Sequence, residues 1–93
     1  MKELSEIRAE LDQVDRELVT LVEKRMQIVC DVAAYKLEHN MPVLDASRES
    51  QVLASRKAML NDAKYEADIQ ELFTMLMRQS RAHQEAWLRE AAK

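Results

Sequence analysis

The chain has no glycine, one proline and one cysteine in 93 residues. Without glycine, the two-residue hairpin turns that require positive φ lose their usual occupant, which argues against a sheet of short strands and for a few long helices. The lone cysteine, Cys30, excludes an intrachain disulfide and a cysteine zinc cluster. Aromatic residues make up 4% of the chain, too few for the stacking platforms that hold single-stranded nucleic acid. Charged residues make up 33%, yet the net charge is only −3. That balance fits solvated helix faces and not a nucleic-acid partner. No stretch approaches the ~20 apolar residues of a membrane span. The opening MKELSEIRAE carries charge where a secretory leader would be apolar. A cytoplasmic protein with no membrane or nucleic-acid partner is expected, with one domain over residues 1–93. So short a chain buries little core alone, so an oligomer is expected.

What the sequence does have is periodicity. Leu4, Leu11, Leu18, Arg25 and Val32 fall seven apart, and Ile7, Val14, Leu21, Ile28 and Tyr35 form a matching series. Such spacing predicts a long helix from about Leu4 to about Leu37. Asn40 and Pro42 end it, because the residue before a proline avoids the α region. Asp45 is placed to cap a second helix from about Ala46 to about Leu60. NDAK (Asn61 to Lys64) interrupts the chain again, and a third helix is predicted from about Tyr65 to about Glu90. The fold class is all-α, with helices in the order long, short, long.

Polar residues interrupt each apolar face. Arg25 stands in a seam position, with Arg8 and Lys36 beside that seam. Arg48 and Glu49 lie one turn from Val52 and Leu53, and Ser80 and Gln84 share a face with Met77 and Trp87. Solvated charges explain Arg8 or Lys36 singly, but a buried guanidinium needs a partner. If these positions face one cavity, its cations outnumber Glu49 and Asp45. Arginine grips carboxylates in bidentate pairs, so the cavity suits an anion with two carboxylates. Arg25 and Lys36 are eleven residues apart, roughly 16 Å along a helix, and can close on one small ligand. Arg8 lies roughly 25 Å from Arg25 along the same helix, so it can join only from another chain. An antiparallel homodimer with its axis near residue 19 provides that, with two identical sites. No nucleophile–base pair or phosphate loop is present; His39 precedes the proline and His83 has no fixed partner. Neither cofactor nor metal is expected, so the substrate must do its own bond-making while the protein holds a reactive conformer and stabilises developing charge.

The pattern R-x16-R-x10-K-x8-D-x2-R-E followed by S-x3-Q resembles that of the all-helical (AroQ-class) chorismate mutases. In this chain it is Arg8, Arg25, Lys36, Asp45, Arg48 and Glu49, then Ser80 and Gln84, spanning almost the whole sequence. The resemblance implies an intertwined helical homodimer that converts chorismate to prephenate without a cofactor, on the shikimate route to phenylalanine and tyrosine. It implies that Arg25 and the partner chain's Arg8 bind the substrate carboxylates, with Arg48 adding positive potential. Lys36 and Gln84 would donate to the ether oxygen. Glu49 and the backbone near Asp45 would take the ring hydroxyl, with Ser80 close by. Relatives that associate with other aromatic-pathway enzymes make such a partner enzyme possible for this chain too. Two alternatives stay open: isochorismate–pyruvate lysis on the same fold, and a non-enzymatic helical dimerisation module in which Arg25 pairs with Glu49.

Overall fold

A computed structural model describes residues 1–93 as three α-helices and one 3₁₀ turn, with no strand. Helix α1 spans Leu4–Glu38, α2 spans Ala46–Ala58 and α3 spans Glu66–Ala91. The long, short, long order matches the periodicity. The second helix stops at Ala58, not at about Leu60. The third begins after a 3₁₀ turn at Ala63–Tyr65, where the Asp62 carboxylate accepts the Lys64 N–H at 3.0 Å and holds a tighter winding.

The end of α1 is closed without glycine. Asn40 takes the left-handed conformation at φ 55°, which its short polar side chain tolerates better than most. The Met41 N–H reaches back to the Lys36 carbonyl at 2.8 Å and the Asn40 N–H to the Leu37 carbonyl at 3.4 Å. This is the Schellman pairing, followed at once by Pro42. At the start of α2, the Asp45 carboxylate accepts the Arg48 N–H at 3.0 Å, as the capping expectation required.

Helix α3 packs on both α1 and α2. The core is small: Val29 and Ala33 from α1, Val52 from α2 and Met77 from α3 are its buried apolar residues. On α1 the stripe turned toward the other helices is Val22, Arg25, Met26, Val29, Ala33 and Lys36, spaced by three and four residues. Of the heptad residues, only Arg25 belongs to that stripe. Leu4, Ile7, Leu11, Val14, Leu18, Leu21, Ile28, Val32 and Tyr35 are all exposed in the single chain. Arg25, placed in the seam by its seven-residue spacing, is instead turned onto the covered face, while Leu18, one heptad before it, is exposed. The molecule measures 56 × 28 × 14 Å, and its radius of gyration is 16.8 Å, against about 12 Å for a compact chain of this length. Residues 1–21 are exposed throughout. No helix is long and apolar enough to cross a membrane.

Candidate active site

The three helices and the loop after α1 enclose a cleft of about 200 Å³. Helix α1 supplies Arg25, Val29, Val32 and Lys36, and the loop supplies Val43 and Asp45. Helix α2 adds Arg48, Glu49, Val52 and Arg56, and α3 adds Met77, Ser80, Arg81 and Gln84. Seven of the eight residues singled out in the sequence thus meet in one place. Arg8 does not: it sits on the exposed part of α1 and makes no ion pair within the chain. A wider depression of about 520 Å³ on the outer face of α3, between Ala67 and Arg78, gathers no comparable charge.

Local structure accounts for each position. The turn that closes α1 folds Val43 back over Lys36, whose Nζ donates to the Val43 carbonyl at 2.6 Å. That leaves two of the ammonium's three donors for a ligand. Asp45 spends its carboxylate on the α2 cap, while its carbonyl accepts the Glu49 N–H at 3.0 Å. Glu49 lies in the first turn of α2, where the helix dipole favours a carboxylate. Ser80 lies one turn from Gln84 on α3, so both look toward α1 and α2.

The cleft's charge is opposite to the chain's. Arg25, Lys36, Arg48, Arg56 and Arg81 face Asp45 and Glu49, a formal surplus of three positive charges in a chain of net charge −3. Arg25 feels this most. Burial lowers its pKa below the ordinary arginine value, and the neighbouring Arg56 charge lowers it further. Its Nη1 donates to Ser80 Oγ and more distantly, at 3.5 Å, to the Leu76 carbonyl. Ser80 Oγ donates in turn to that carbonyl at 2.8 Å. These are neutral acceptors, so the charge of Arg25 has no carboxylate against it. Gln84 is similarly incomplete: it is 6% exposed, and its amide oxygen has no hydrogen-bond partner. A buried polar atom left this way costs free energy until a ligand or water satisfies it.

The pairing expected of a purely structural module is not found. Glu49 does not pair with Arg25. Both its oxygens accept from Arg81 Nη1 at 2.5 Å, because Arg81 faces α2 from α3 while Arg25 is held by Ser80. Arg56 and Arg81 are cleft residues that sequence reasoning missed. Their signal was present: Arg56 follows Glu49 by seven residues, two helical turns, and Arg81 precedes Gln84 by three. Arg56 also lies 5.8 Å from the centre of the Phe73 ring and donates to Ser55 Oγ at 2.8 Å.

An all-helical domain with a small cationic cleft between its helices defines a class of proteins, and the relatives make it specific. The family model for chorismate mutase type II matches residues 7–85, and the chain belongs to that family. It is 34% identical over 85 residues to the T-protein of Haemophilus influenzae, covering 90% of this chain and 22% of that protein. It is 25% identical over 91 residues to the chorismate mutase of Methanocaldococcus jannaschii, covering 97% of this chain and 92% of that one. A bifunctional chorismate mutase/prephenate dehydratase of Buchnera aphidicola is 31% identical over 87 residues, 88% of this chain and 22% of the relative. The chain thus spans about a fifth of the length of the T-proteins it matches. No solved structure matches it significantly.

Proposed function

We propose that the chain is a chorismate mutase, catalysing the Claisen rearrangement of chorismate to prephenate on the route to phenylalanine and tyrosine. The observation that carries this reading is a cationic cleft in which Arg25 has no counter-charge and buried Gln84 leaves its amide oxygen without a donor. A small dianion supplies the counter-charge, and its ether oxygen, an acceptor, suits Gln84 once the amide is turned so that the NH2 faces the cleft. Arg25 binds one carboxylate, and Arg48 adds positive potential at the rim. Lys36 and Gln84 converge on the ether oxygen. In the rearrangement the C–O bond breaks ahead of C–C bond formation, so that oxygen gains negative charge. Donors placed there stabilise the transition state more than the substrate, which is what raises the rate. The two ends of an amide are nearly equal in size, so Gln84 can present its NH2 to that oxygen. Glu49 and the backbone near Asp45 take the ring hydroxyl, and Ser80 holds Arg25 in line. The electron pairs move within the substrate, so these residues bind, orient and stabilise charge.

The functional unit in this reading is an intertwined antiparallel homodimer. The exposed apolar series of α1 supports it, since a stripe from Leu4 to Tyr35 left in water would be a contiguous apolar patch. The same pairing brings Arg8 of the partner subunit to the second carboxylate. The T-protein and dehydratase relatives make an aromatic-pathway partner enzyme part of the proposal. The test is prephenate formation from chorismate, with isochorismate assayed in parallel. Prephenate from chorismate supports the mutase. Pyruvate release from isochorismate alone would assign the fold to lysis, and no turnover of either would leave a dimerisation module.

A further inference from the structure

Arg81 is not among the residues that the family pattern supplied, yet it makes the one ion pair among the cleft residues. Its Nη1 lies 2.5 Å from both carboxylate oxygens of Glu49 and ties α3 to α2 across 32 residues of sequence. The two side chains are 30% and 26% exposed, so the pair borders the cleft. Arg81 has no other hydrogen-bond partner in the chain. Most of its five N–H donors therefore remain free.

Two consequences follow from the chemistry. First, a bare carboxylate in a site for a dianion repels what the site is meant to hold. Pairing it with a guanidinium keeps the acceptor while cancelling its charge. Second, a hydroxyl is both donor and acceptor. Glu49 alone can accept the O–H hydrogen but leaves the hydroxyl oxygen stripped of water and unpartnered. A guanidinium bonded to the same carboxylate is placed to donate to that oxygen.

We propose that Arg81 is a specificity-determining residue that reads the substrate's ring hydroxyl jointly with Glu49, donating to the oxygen whose hydrogen Glu49 accepts. The proposal rests on the mutase reading and deepens it. It predicts that the cleft discriminates by the hydroxyl, because a site built to bond a hydroxyl is left with unpaired polar groups when the hydroxyl is missing.

The experiment compares chorismate with the analogue whose ring hydroxyl is replaced by hydrogen, on wild type, Arg81→Met and Arg81→Lys. Arg81→Met is expected to lower kcat/KM for chorismate by roughly tenfold to a hundredfold, the range for a hydrogen bond involving a charged group. The deoxy analogue also meets the bared Glu49 carboxylate, so it should lose too, but by at least about fivefold less than chorismate, which loses the hydroxyl bond as well. Arg81→Lys, which keeps a charge and a donor, should recover the shared electrostatic loss on both substrates and part of the extra loss on chorismate. Equal losses on both substrates would overturn the proposal, since Arg81 would then act on the fold or the carboxylates. No loss on either would overturn it too, leaving Glu49 to read the hydroxyl unaided. Circular dichroism and the melting temperature monitor folding, and if Arg81→Met does not fold, the same two-substrate ratio is read on Arg81→Gln. A wild type inactive on chorismate overturns the mutase reading and this proposal together, whereas an active wild type with equal losses overturns this proposal alone.

Discussion

Helix α1 is one continuous helix with two different surroundings. From Leu4 to Leu21 every residue is exposed, although the apolar series there is regular. From Val22 to Lys36 one face is covered by the other helices and carries Arg25 and Lys36 into the cleft. The two arginines make the contrast concrete. Arg25 is half-buried, held by Ser80 and without a counter-charge; Arg8 is exposed and unpaired. The C-terminal part of α1 finds its packing within the chain. The N-terminal part has the sequence of a packed helix and nothing in the chain to pack on. A regular apolar series therefore does not by itself mark the face that a single chain buries.

The largest expected effect tests whether that N-terminal part behaves as surface or as core. Leu11 and Leu18 are exposed in the chain at 59% and 48%, so substitutions there should be nearly neutral if the chain worked alone. In the proposed dimer, Leu11→Asp with Leu18→Asp buries two unpaired carboxylates. That costs several kcal/mol and should abolish both the dimer and activity. Sedimentation and circular dichroism read the outcome. A fully active, folded double variant would make the exposed half of α1 ordinary surface.

Arg25→Ala should be nearly as damaging to turnover and have a contrary effect on stability. Loss of the carboxylate clamp is expected to lower kcat/KM by about a thousandfold. The ligand-free protein should melt no lower than wild type, because a desolvated charge repelled by Arg56 has been removed. The sign follows from the depressed pKa: the charged form is disfavoured on folding, so its removal relieves the folded state. Arginine stays protonated throughout ordinary pH, so the melting difference should not vary between about pH 5 and 9. A large fall in melting temperature would make Arg25 a structural residue.

How much of this could be read from residues alone differs between the same two regions. The helix order, the stop at Pro42 and the Asp45 cap were legible because proline and capping chemistry act locally. The convergence of Arg25, Lys36, Arg48, Glu49, Ser80 and Gln84 was legible through spacing. Arg56 and Arg81 were not, because a cation in the last turn of α2 looks like a solvated partner of the helix dipole, and a cation beside Arg78 looks like surface. The Lys36 to Val43 tie depends on how the chain folds back after Asn40, which no spacing rule fixes. The heptad was legible as a seam. Nothing within the single chain covers it.

Gln84→Glu tests the donor at the buried end of the cleft. A protonated carboxyl can donate to the ether oxygen, while an ionised one places negative charge against it. The variant should lose roughly a hundredfold or more in kcat/KM at neutral pH and regain activity as the pH falls, while wild type shows no acid recovery. Lys36 nearby favours the ionised form and burial opposes it. Parallel pH profiles for the two proteins would remove Gln84 from the ether oxygen. The smallest effect concerns the turn that positions Lys36. Asn40→Ala forces a Cβ-bearing residue without a polar side chain into φ 55° and should lower stability by about 1 kcal/mol, read by denaturant titration.

If the two halves of α1 complete one site only when two chains meet, mixing two inactive variants should restore activity. In the proposed dimer each site uses Arg25 of one chain and Arg8 of the other. Arg8→Ala and Arg25→Ala homodimers should both be nearly inactive. After subunit exchange at equal concentrations, about half of the dimers are mixed, and each holds one intact site and one site with both lesions. Activity should therefore return to about a quarter of the wild-type value per chain. If mass spectrometry confirms exchange and activity stays at the level of the separate variants, Arg8 does not act across the interface, and the two halves of α1 do not share a site.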